Sequence, residues 1–313
     1  MREYYEELKK YGKVKLKESL TKNTTFKVGG IAHFFIEVTE EEKLISLLNF
    51  LNSEDIPYFV LGGGSNVLFS DEGFEGVVIK LQTSELKLRE DNEIVVAAGV
   101  LLNKVVNFAL QNKLSGMEWG TGIPGTVGGA VRGNAGAMGK ENANCLVKVK
   151  IWRDGEVFEL DKTECGFGYR ESIFKNNKDV ILSAVYKLTP GDEKSIKEIM
   201  QTYLKQRTGR FPNLPSAGSF FKNIEVNKWS GKKEDLPEIF WERGKIPVGW
   251  LVEQVGMKGF TIGGAKISDE HGNFIINFSN AKQADILSLV ETIKEKVYNK
   301  FGIELEPEVK IIN

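Results

Sequence analysis

The chain has 313 residues and a formal net charge of −1, with 42 basic against 43 acidic side chains, so no overall field attracts nucleic acid or an anionic membrane. No apolar run approaches the roughly 18 residues of a membrane span. The N-terminus is polar and charged and has no hydrophobic signal core. We therefore expect a cytoplasmic protein, long enough for two domains or three small ones, that contacts neither nucleic acid nor membrane.

Side chains for imidazole and thiol chemistry are scarce. His33 and His271 are the only histidines, and Cys145 and Cys165 are the only cysteines. His33 lies in an apolar segment and is expected to pack within a strand. The cysteines lack metal or redox spacing, so a reduced, non-catalytic pair is expected. Two histidines exclude a histidine-rich metal centre, and no metal site is predicted.

Strands and helices alternate in the first half of the chain. A helical or irregular lead-in over residues 1–20 is followed by a turn at residues 29–30 and then a strand. Thr39, with Glu42 three residues later, has the spacing of a capping box for a helix. Residues 154–155, Asp-Gly, are typical of a hairpin turn. The predicted strands are 31–38, 58–61, 76–81, 94–98, 145–152, 157–160 and 180–188, and a second helix spans 101–111.

The second half begins after Pro-Gly-Asp at residues 190–192, the predicted domain boundary. A long amphipathic helix near its end is expected to be capped by Asn280 with Gln283 and stopped by Gly302. The other predicted elements are helices over 194–206 and 248–256 and strands over 263–268, 274–278 and 303–312. This order predicts an α+β architecture in two unequal parts.

Glycine is concentrated at two places. Eight of the twenty residues in 120–139 are glycine, and a strand ending at Leu61 runs directly into three more at 62–64. Runs of exposed backbone N–H groups form concave sites for anions, so these stretches predict two walls of one pyrophosphate site. The alternative is a run of tight turns between strands. Gly120, Gly122 and Gly125 match the dinucleotide pattern G-x-G-x-x-G, but no hydrophobic strand precedes them and no helix is expected through the stretch, so a Rossmann site is rejected.

Seven segments together resemble the UDP-N-acetylenolpyruvoylglucosamine reductase family. They occur in the family's order over about residues 21–312: TTFKVGG, GGGSNVL, GTGIPGTVGGAVRGNAGAMG, GYRES, SAGSFFKN, LVEQVGMKG and LEPEVKII. The resemblance implies an FAD-binding region of the vanillyl-alcohol oxidase type over residues 1–190, with α+β subdomains at about 1–80 and 81–190. A smaller α+β substrate-binding domain follows over 191–313.

The family's activity supplies the expected function. It is the NADPH-dependent reduction of UDP-N-acetylglucosamine enolpyruvate to UDP-N-acetylmuramate in peptidoglycan synthesis. FAD takes hydride from NADPH and passes it to the enolpyruvyl C=C. The resemblance implies these two cofactors and a small-molecule substrate, and a monomer is expected. The choice between NADPH and NADH is left open by the residues alone.

Residue by residue, the resemblance assigns a catalytic arginine to Arg170, the proton donor to Ser219 and the catalytic acid to Glu308. Arg170 and Glu308 would stabilise an enolate while Ser219 protonates the adjacent carbon. The positions expected to bind FAD are Gly62, Gly63, Gly64, Ser65, Asn66, Val67, Gly122, Ile123, Pro124, Gly125, Thr126, Gly128, Gly129, Asn134, Ala135 and Gly136. Those expected to bind substrate or nicotinamide are Tyr169, Lys222, Asn223 and Gln254.

A local basic cluster of Lys205, Arg207 and Arg210 is expected to meet the diphosphate of the substrate, with Arg207 as the substrate-binding residue. The alternative is a solvated helix end. Only 48 residues, 171–218, separate Arg170 from Ser219, whereas some family members carry a longer insertion here with a tyrosine loop that closes over substrate. The chain resembles the shorter subtype, so closure by a tyrosine is not implied.

Two other functions remain open from the sequence. One is another flavin-dependent oxidase or dehydrogenase of the same fold, many of which tether FAD through His or Cys. Neither cysteine and neither histidine lies in the two glycine-rich stretches. The other is a nucleotide-sensing module without turnover, which would bind ligand without oxidising NADPH.

Overall fold

The computed structural model describes residues 2–209 and 211–313, which form two compact units. Unit 1 contains the residues up to Glu18, Ala32–Gly64 and Phe74–Thr208. Unit 2 contains Ser19–Ile31, Ser65–Gly73 and Gly209–Asn313. Each unit has its own buried hydrophobic cluster, so each is organised around a separate core.

The first sheet of unit 1 has four strands, in the order Lys13–Ser19, Ile31–Val38, Phe74–Leu81 and Tyr58–Leu61. Phe74–Leu81 runs parallel to both of its neighbours. Its residues Val77, Val78 and Ile79 are all at most 1% exposed, as is typical of a parallel strand covered on both faces. The sheet therefore brings the carboxyl ends of three strands to one edge.

The second sheet of unit 1 is antiparallel and has five strands. Their order is Glu156–Asp161, Leu146–Arg153, Val180–Lys187, Glu93–Ala97 and Leu86–Leu88. Two short pairs, Leu114–Ser115 with Thr189–Pro190 and Gly136–Ala137 with Lys140–Glu141, complete the strands of this unit. The helices are Arg2–Leu8, Glu41–Ser53, Leu102–Gln111, Val127–Arg132 and Glu193–Arg207.

Unit 2 is built on a four-stranded antiparallel sheet in the order Ser216–Ser219, Phe274–Asn277, Ala265–Ile267 and Thr261–Ile262. The strands Val67–Phe69 and Lys310–Ile312 pair in parallel, and Ile224–Glu225 pairs with Lys245–Ile246. The helices are Glu238–Glu242, Val248–Gln254 and Gln283–Phe301. In the last helix Ile286, Leu289, Val290, Ile293 and Val297 are buried, the spacing of one helical face.

Helix caps were predicted less well than the helices themselves. The helix that Thr39 was expected to cap begins at Glu41. Its N-cap residue is Glu40, whose side chain makes no capping hydrogen bond. The helix expected at Asn280 begins at Gln283, because Asn280 adopts a left-handed φ of 50° outside it. Its end at Gly302 is confirmed, with φ 67° in the conformation that glycine tolerates best.

Three further expectations were wrong. Residues 1–20 contain the strand Lys13–Ser19 as well as a helix. The predicted strand over 303–312 is ladder-paired only at Lys310–Ile312. A six-residue helix, Val127–Arg132, does run through the glycine stretch, but the 3₁₀ turn Glu118–Gly120 precedes it in place of a strand. The structural requirement of a Rossmann site is therefore not met.

The compact units divide at Thr208, not at residue 190, because the helix Glu193–Arg207 contacts elements of unit 1. Two earlier segments, Ser19–Ile31 and Ser65–Gly73, belong with the C-terminal residues. Val67–Phe69 makes this clear, since it pairs with Lys310–Ile312. Within residues 2–209 and 211–313, none of the helices has the length and apolarity needed to cross a lipid bilayer.

Candidate active site

The two glycine-rich stretches of unit 1 are in direct contact. A Cβ atom on Gly63 would lie 2.6 Å from the Cα of Gly125, and one on Gly62 would lie 2.3 Å from Oγ1 of Thr126. Such distances allow no side chain, so glycine is required for the two backbones to meet. We call residues 62–64 and 122–129 the glycine cradle.

Backbone hydrogen bonds to residues 100 and 102 fix the second stretch of the glycine cradle, residues 122–129. Leu102 donates its N–H to the carbonyl of Gly125 at 3.0 Å, and Val127 donates to the carbonyl of Val100 at 2.9 Å. The N–H groups of Gly63, Gly125 and Thr126 donate no hydrogen bond to any other residue that the structure describes. A concave backbone with several unpaired donors suits an anion such as a pyrophosphate.

Of the other positions in residues 122–129 that are expected to bind FAD, Gly128 packs against the sheet and most of the others are exposed. Gly128 packs against Ala98, where a Cβ would lie 2.9 Å from the alanine methyl, so this glycine lets the helix Val127–Arg132 lie on the sheet. Gly129 is exposed and has only Thr126 Oγ1 within 4 Å of its Cβ position, at 3.8 Å. Gly122 (φ 73°) and Pro124 are exposed, and Ile123 is half-buried.

The GGGSNV segment itself is shared between the units. Residues 62–64 belong to unit 1, and Ser65, Asn66 and Val67 belong to unit 2. Asn66 donates its side-chain amide to the carbonyl of Glu308 at 3.2 Å, and Val67 pairs with Lys310. In unit 2 this segment therefore supports the chain around Glu308.

Asn134 is completely buried and its side chain makes structural bonds. Its amide donates to the carbonyl of Gly168 at 2.8 Å, and its oxygen accepts the N–H of Ala143 at 3.0 Å. Ala135 and Gly136 follow, with Ala135 donating its N–H to Ala130 at 2.8 Å. Asn134 thus ties the end of the glycine stretch to the loop before Arg170.

Asn134→Ala is expected to lower the free energy of unfolding by about 2 kcal/mol, because it leaves the buried N–H of Ala143 without its hydrogen-bond acceptor. Urea denaturation of the variant and of Asn103→Ala, an exposed helix position, measures the difference. The control should change stability by less than about 0.5 kcal/mol. Equal stability of the two variants would contradict the structural role.

Arg170 is anchored to the same stretch of unit 1. Its Nη2 donates to the carbonyl of Gly136 at 2.7 Å, and its guanidinium lies 5.2 Å from the ring centroid of Tyr169. The residue adopts φ 57°, a conformation that is uncommon for arginine and that recurs at functional sites. The predicted catalytic arginine is therefore fixed beside predicted cofactor-binding residues.

In unit 2, Ser219 and Glu308 lie on neighbouring segments. Ser219 ends the strand Ser216–Ser219, directly after Gly218 with φ 80°. The next residue, Phe220, accepts the N–H of Glu308 at 2.7 Å, and Phe221 pairs with Pro307. Both Ser219 and Glu308 are half-buried.

A buried asparagine that the sequence analysis missed, Asn273, holds this arrangement. Its amide oxygen accepts the N–H of Phe221 at 2.9 Å and its amide nitrogen donates to the carbonyl of the same residue at 2.8 Å. Its backbone carbonyl also accepts the N–H of Phe220 at 2.8 Å. Its position before the apolar strand Phe274–Asn277 is typical of a loop residue, so the sequence carries no sign of this role.

The predicted substrate-binding residues of unit 2 have different environments. Lys222 is 8% exposed and forms an ion pair with Glu306. Asn223 accepts the N–H of Val248, at the start of the helix Val248–Gln254, through its amide oxygen at 3.2 Å. Gln254 is exposed at the end of that helix, and its backbone carbonyl accepts a bond from Lys300.

Arg207 belongs to unit 1 and packs on the glycine cradle. Its Cδ lies 3.1 Å from the position that a Cβ on Gly122 would occupy, and burial lowers the pKa of the guanidinium. Lys205 is exposed, and Arg210 lies outside the described residues. Within this unit, Arg207 is therefore next to predicted cofactor-binding residues.

Both thiols are free and buried. Burial raises the pKa of Cys145 to about 12 and that of Cys165 to about 11, so both are protonated at neutral pH. His33 stacks on Phe34 with ring centroids 4.8 Å apart. The described residues contain no group of three or more His, Cys, Asp or Glu able to hold a metal ion.

Comparisons with known proteins identify the family. The FAD binding domain family matches residues 32–161, and the C-terminal domain of UDP-N-acetylenolpyruvoylglucosamine reductase matches residues 210–312. Proteins named UDP-N-acetylenolpyruvoylglucosamine reductase from Caldanaerobacter subterraneus and Fervidobacterium nodosum are 38% and 39% identical. These matches cover 98% and 95% of this chain and 96% and 91% of the relatives.

The crystal structure of the reductase from Thermus caldophilus has a TM-score of 0.77 and 33% identity, covering 96% of this chain and 99% of that one. Together these matches confirm the predicted α+β fold and the predicted FAD cofactor. The relatives are more than 30% identical over nearly the whole length of both chains. The chain belongs to the UDP-N-acetylenolpyruvoylglucosamine reductase family.

Proposed function

We propose that the protein reduces the enolpyruvyl group of UDP-N-acetylglucosamine enolpyruvate with NADPH and forms UDP-N-acetylmuramate for peptidoglycan synthesis. The observation that carries this proposal is the contact of residues 62–63 with residues 125–126, in the same unit as Arg170 held at Gly136. A backbone cradle can hold the pyrophosphate of FAD, and a fixed guanidinium can stabilise the charge that develops when an unsaturated carboxylate is reduced.

FAD fits the glycine cradle. Its pyrophosphate would be bound by N–H groups such as those of Gly63, Gly125 and Thr126, which have no partner among the described residues. When bound, FAD supplies the two-electron chemistry that moves hydride from NADPH to carbon. The chain's own residues must then bind the carboxylate, stabilise the charge that develops beside it and deliver one proton.

Arg170 is proposed to bind the carboxylate of the enolpyruvyl group. As hydride adds to the terminal carbon, negative charge spreads from the adjacent carbon into that carboxylate. A guanidinium is permanently charged and planar, so its N–H groups match two carboxylate oxygens. The bond to Gly136 fixes the orientation of Arg170 before charge develops, which lowers the reorganisation needed during the reaction.

Ser219 is proposed to donate the proton and Glu308 to support the enolate. One hydride and one proton then complete the reduction of the C=C bond. Glu308 can donate a hydrogen bond to the enolate only when it is protonated. Serine is a weak acid, so proton donation depends on the charge that it faces in the enolate and on neighbouring groups.

Substrate binding is proposed for Tyr169, Lys222, Asn223 and Gln254, the positions that match the family, and for Arg207, which comes from the local basic cluster. Lys222 and Arg207 are the cations of this group and suit the diphosphate of the substrate. We assign FAD binding to the first part of the chain and substrate binding to the C-terminal part. A cytoplasmic location and a monomeric state are also proposed.

Anaerobic turnover followed by mass spectrometry tests the reaction. Loss of NADPH absorbance should require the enolpyruvyl substrate, and one product should carry two more hydrogens than that substrate. UDP-N-acetylglucosamine, which lacks the enolpyruvyl group, is the matched control. In a parallel aerobic assay, NADPH oxidation that occurs without the enolpyruvyl substrate would instead indicate an oxidase. Denaturation should release the flavin from the chain, because His33 lies within the strand Ile31–Val38 and both thiols are buried.

A further inference from the structure

Lys80 connects the parallel sheet of unit 1 to the glycine cradle. It is the penultimate residue of the strand Phe74–Leu81 and is in register with Leu61 on one side and Glu37 on the other. Leu61 ends its strand, and Gly62 follows directly. The ammonium of Lys80 donates to the carbonyl of Gly62 at 2.5 Å.

This lysine occupies an unfavourable place for a charge. Val77, Val78 and Ile79 before it are buried, and Lys80 itself is half-buried. Burial lowers the pKa of its ammonium, and the carboxylate of Glu37 partly offsets this effect. Glu37 itself forms an ion pair with Lys15 at 2.5 Å.

The bond to Gly62 determines the direction of the next N–H group. In a trans peptide the carbonyl of one residue and the N–H of the following residue lie in one plane and point in opposite directions. Because Lys80 holds the Gly62 carbonyl, the N–H of Gly63 faces away from Lys80. That N–H is one of the donors without a partner among the described residues.

We propose that Lys80 is a positioning residue of the FAD site, which aims the N–H of Gly63 at the pyrophosphate by holding the carbonyl of Gly62. The positive charge behind this peptide also polarises it, which strengthens Gly63 as a donor to an anion. The inference rests on the proposed function only in that FAD is the ligand of the glycine cradle.

The test compares FAD with riboflavin, which lacks the pyrophosphate and the adenosine attached to it. The enzyme is stripped of FAD, and FAD and riboflavin are then titrated separately by flavin fluorescence. Lys80→Met should weaken FAD binding about tenfold, the size expected for losing a bond from a charged donor, and change riboflavin binding less than about twofold. Lys87→Met removes an exposed lysine of the same unit and should leave both affinities unchanged.

Other outcomes distinguish a failure of the positioning role of Lys80 from a failure of the FAD assignment. Wild-type affinity for FAD in Lys80→Met, or an equal loss for FAD and riboflavin, would overturn the positioning role. If Lys80→Met does not fold, Lys80→Gln, which keeps a polar end without the charge, is subjected to the same comparison and must show the same selective loss. A wild-type protein that binds no FAD would refute the cofactor assignment itself, which is a different result.

Discussion

Ser219→Ala is expected to slow the transfer from reduced enzyme to the enolpyruvyl substrate by about 10²- to 10⁴-fold, the usual contribution of a positioned proton donor. Reduction of the enzyme by NADPH should keep its wild-type rate, because no proton from Ser219 is needed in that half-reaction. Stopped-flow absorbance of the flavin measures the two half-reactions separately. The variant should fold normally, since Ser219 is half-buried at the end of its strand.

Ser216→Ala provides a matched control at the other end of the same strand. Its hydroxyl lies within 3.4 Å of the N–H of Gly218, and it has no proposed chemical role. We expect both half-reactions of this control to remain near wild type. Equal losses of the two half-reactions in Ser219→Ala would refute the assignment of the proton donor.

Arg170→Met is expected to reduce the same second half-reaction by about 10²- to 10³-fold, as removal of one fixed donor to a developing oxyanion does in other enzymes. Arg170→Lys should recover only part of this loss, because an ammonium cannot bind both carboxylate oxygens in a plane. FAD content should stay at the wild-type level, since Arg170 donates to the backbone carbonyl of Gly136 and this bond involves none of the N–H groups proposed to bind FAD.

Arg153→Met is the corresponding control in unit 1. Arg153 forms a two-point ion pair with Asp179, and it has no proposed role in catalysis. Its replacement should leave both half-reactions unchanged. If Arg170→Met lost its FAD while Arg153→Met kept it, Arg170 would be a structural support of the cofactor site and not a catalytic residue.

Most strands and helices were predictable because hydrophobic periodicity marks them. Ile31–Val38 and Tyr58–Leu61 match their predicted bounds, and Gly302 ends the last helix as expected. The helix Val127–Arg132 was not predicted, because two glycines disfavour helix in isolation. Gly128 packs against Ala98 at a distance that no side chain would allow, so tertiary contact overrides the local preference.

The candidate site was predictable only where a short stretch of sequence, such as a run of glycines, itself indicates the role of its residues. The meeting of residues 62–63 with 125–126 was expected from two glycine-rich stretches and is present. The structural use of Asn134 was not visible in the sequence, because it depends on Gly168, 34 residues later, and on how the chain turns to bring Ala143 back to it. Lys80 was also missed, since its contact with Gly62 arises from the register of two parallel strands.

One measurement tests the central claim most directly: an anaerobic flavin spectrum recorded in two steps. NADPH should first bleach the absorbance of the purified protein, and UDP-N-acetylglucosamine enolpyruvate should then restore it within one turnover. UDP-N-acetylglucosamine should restore nothing. Recovery with the enolpyruvyl substrate alone is the result that we predict. Bleaching that only oxygen reverses, or a protein that binds no flavin, would contradict the proposed reductase activity.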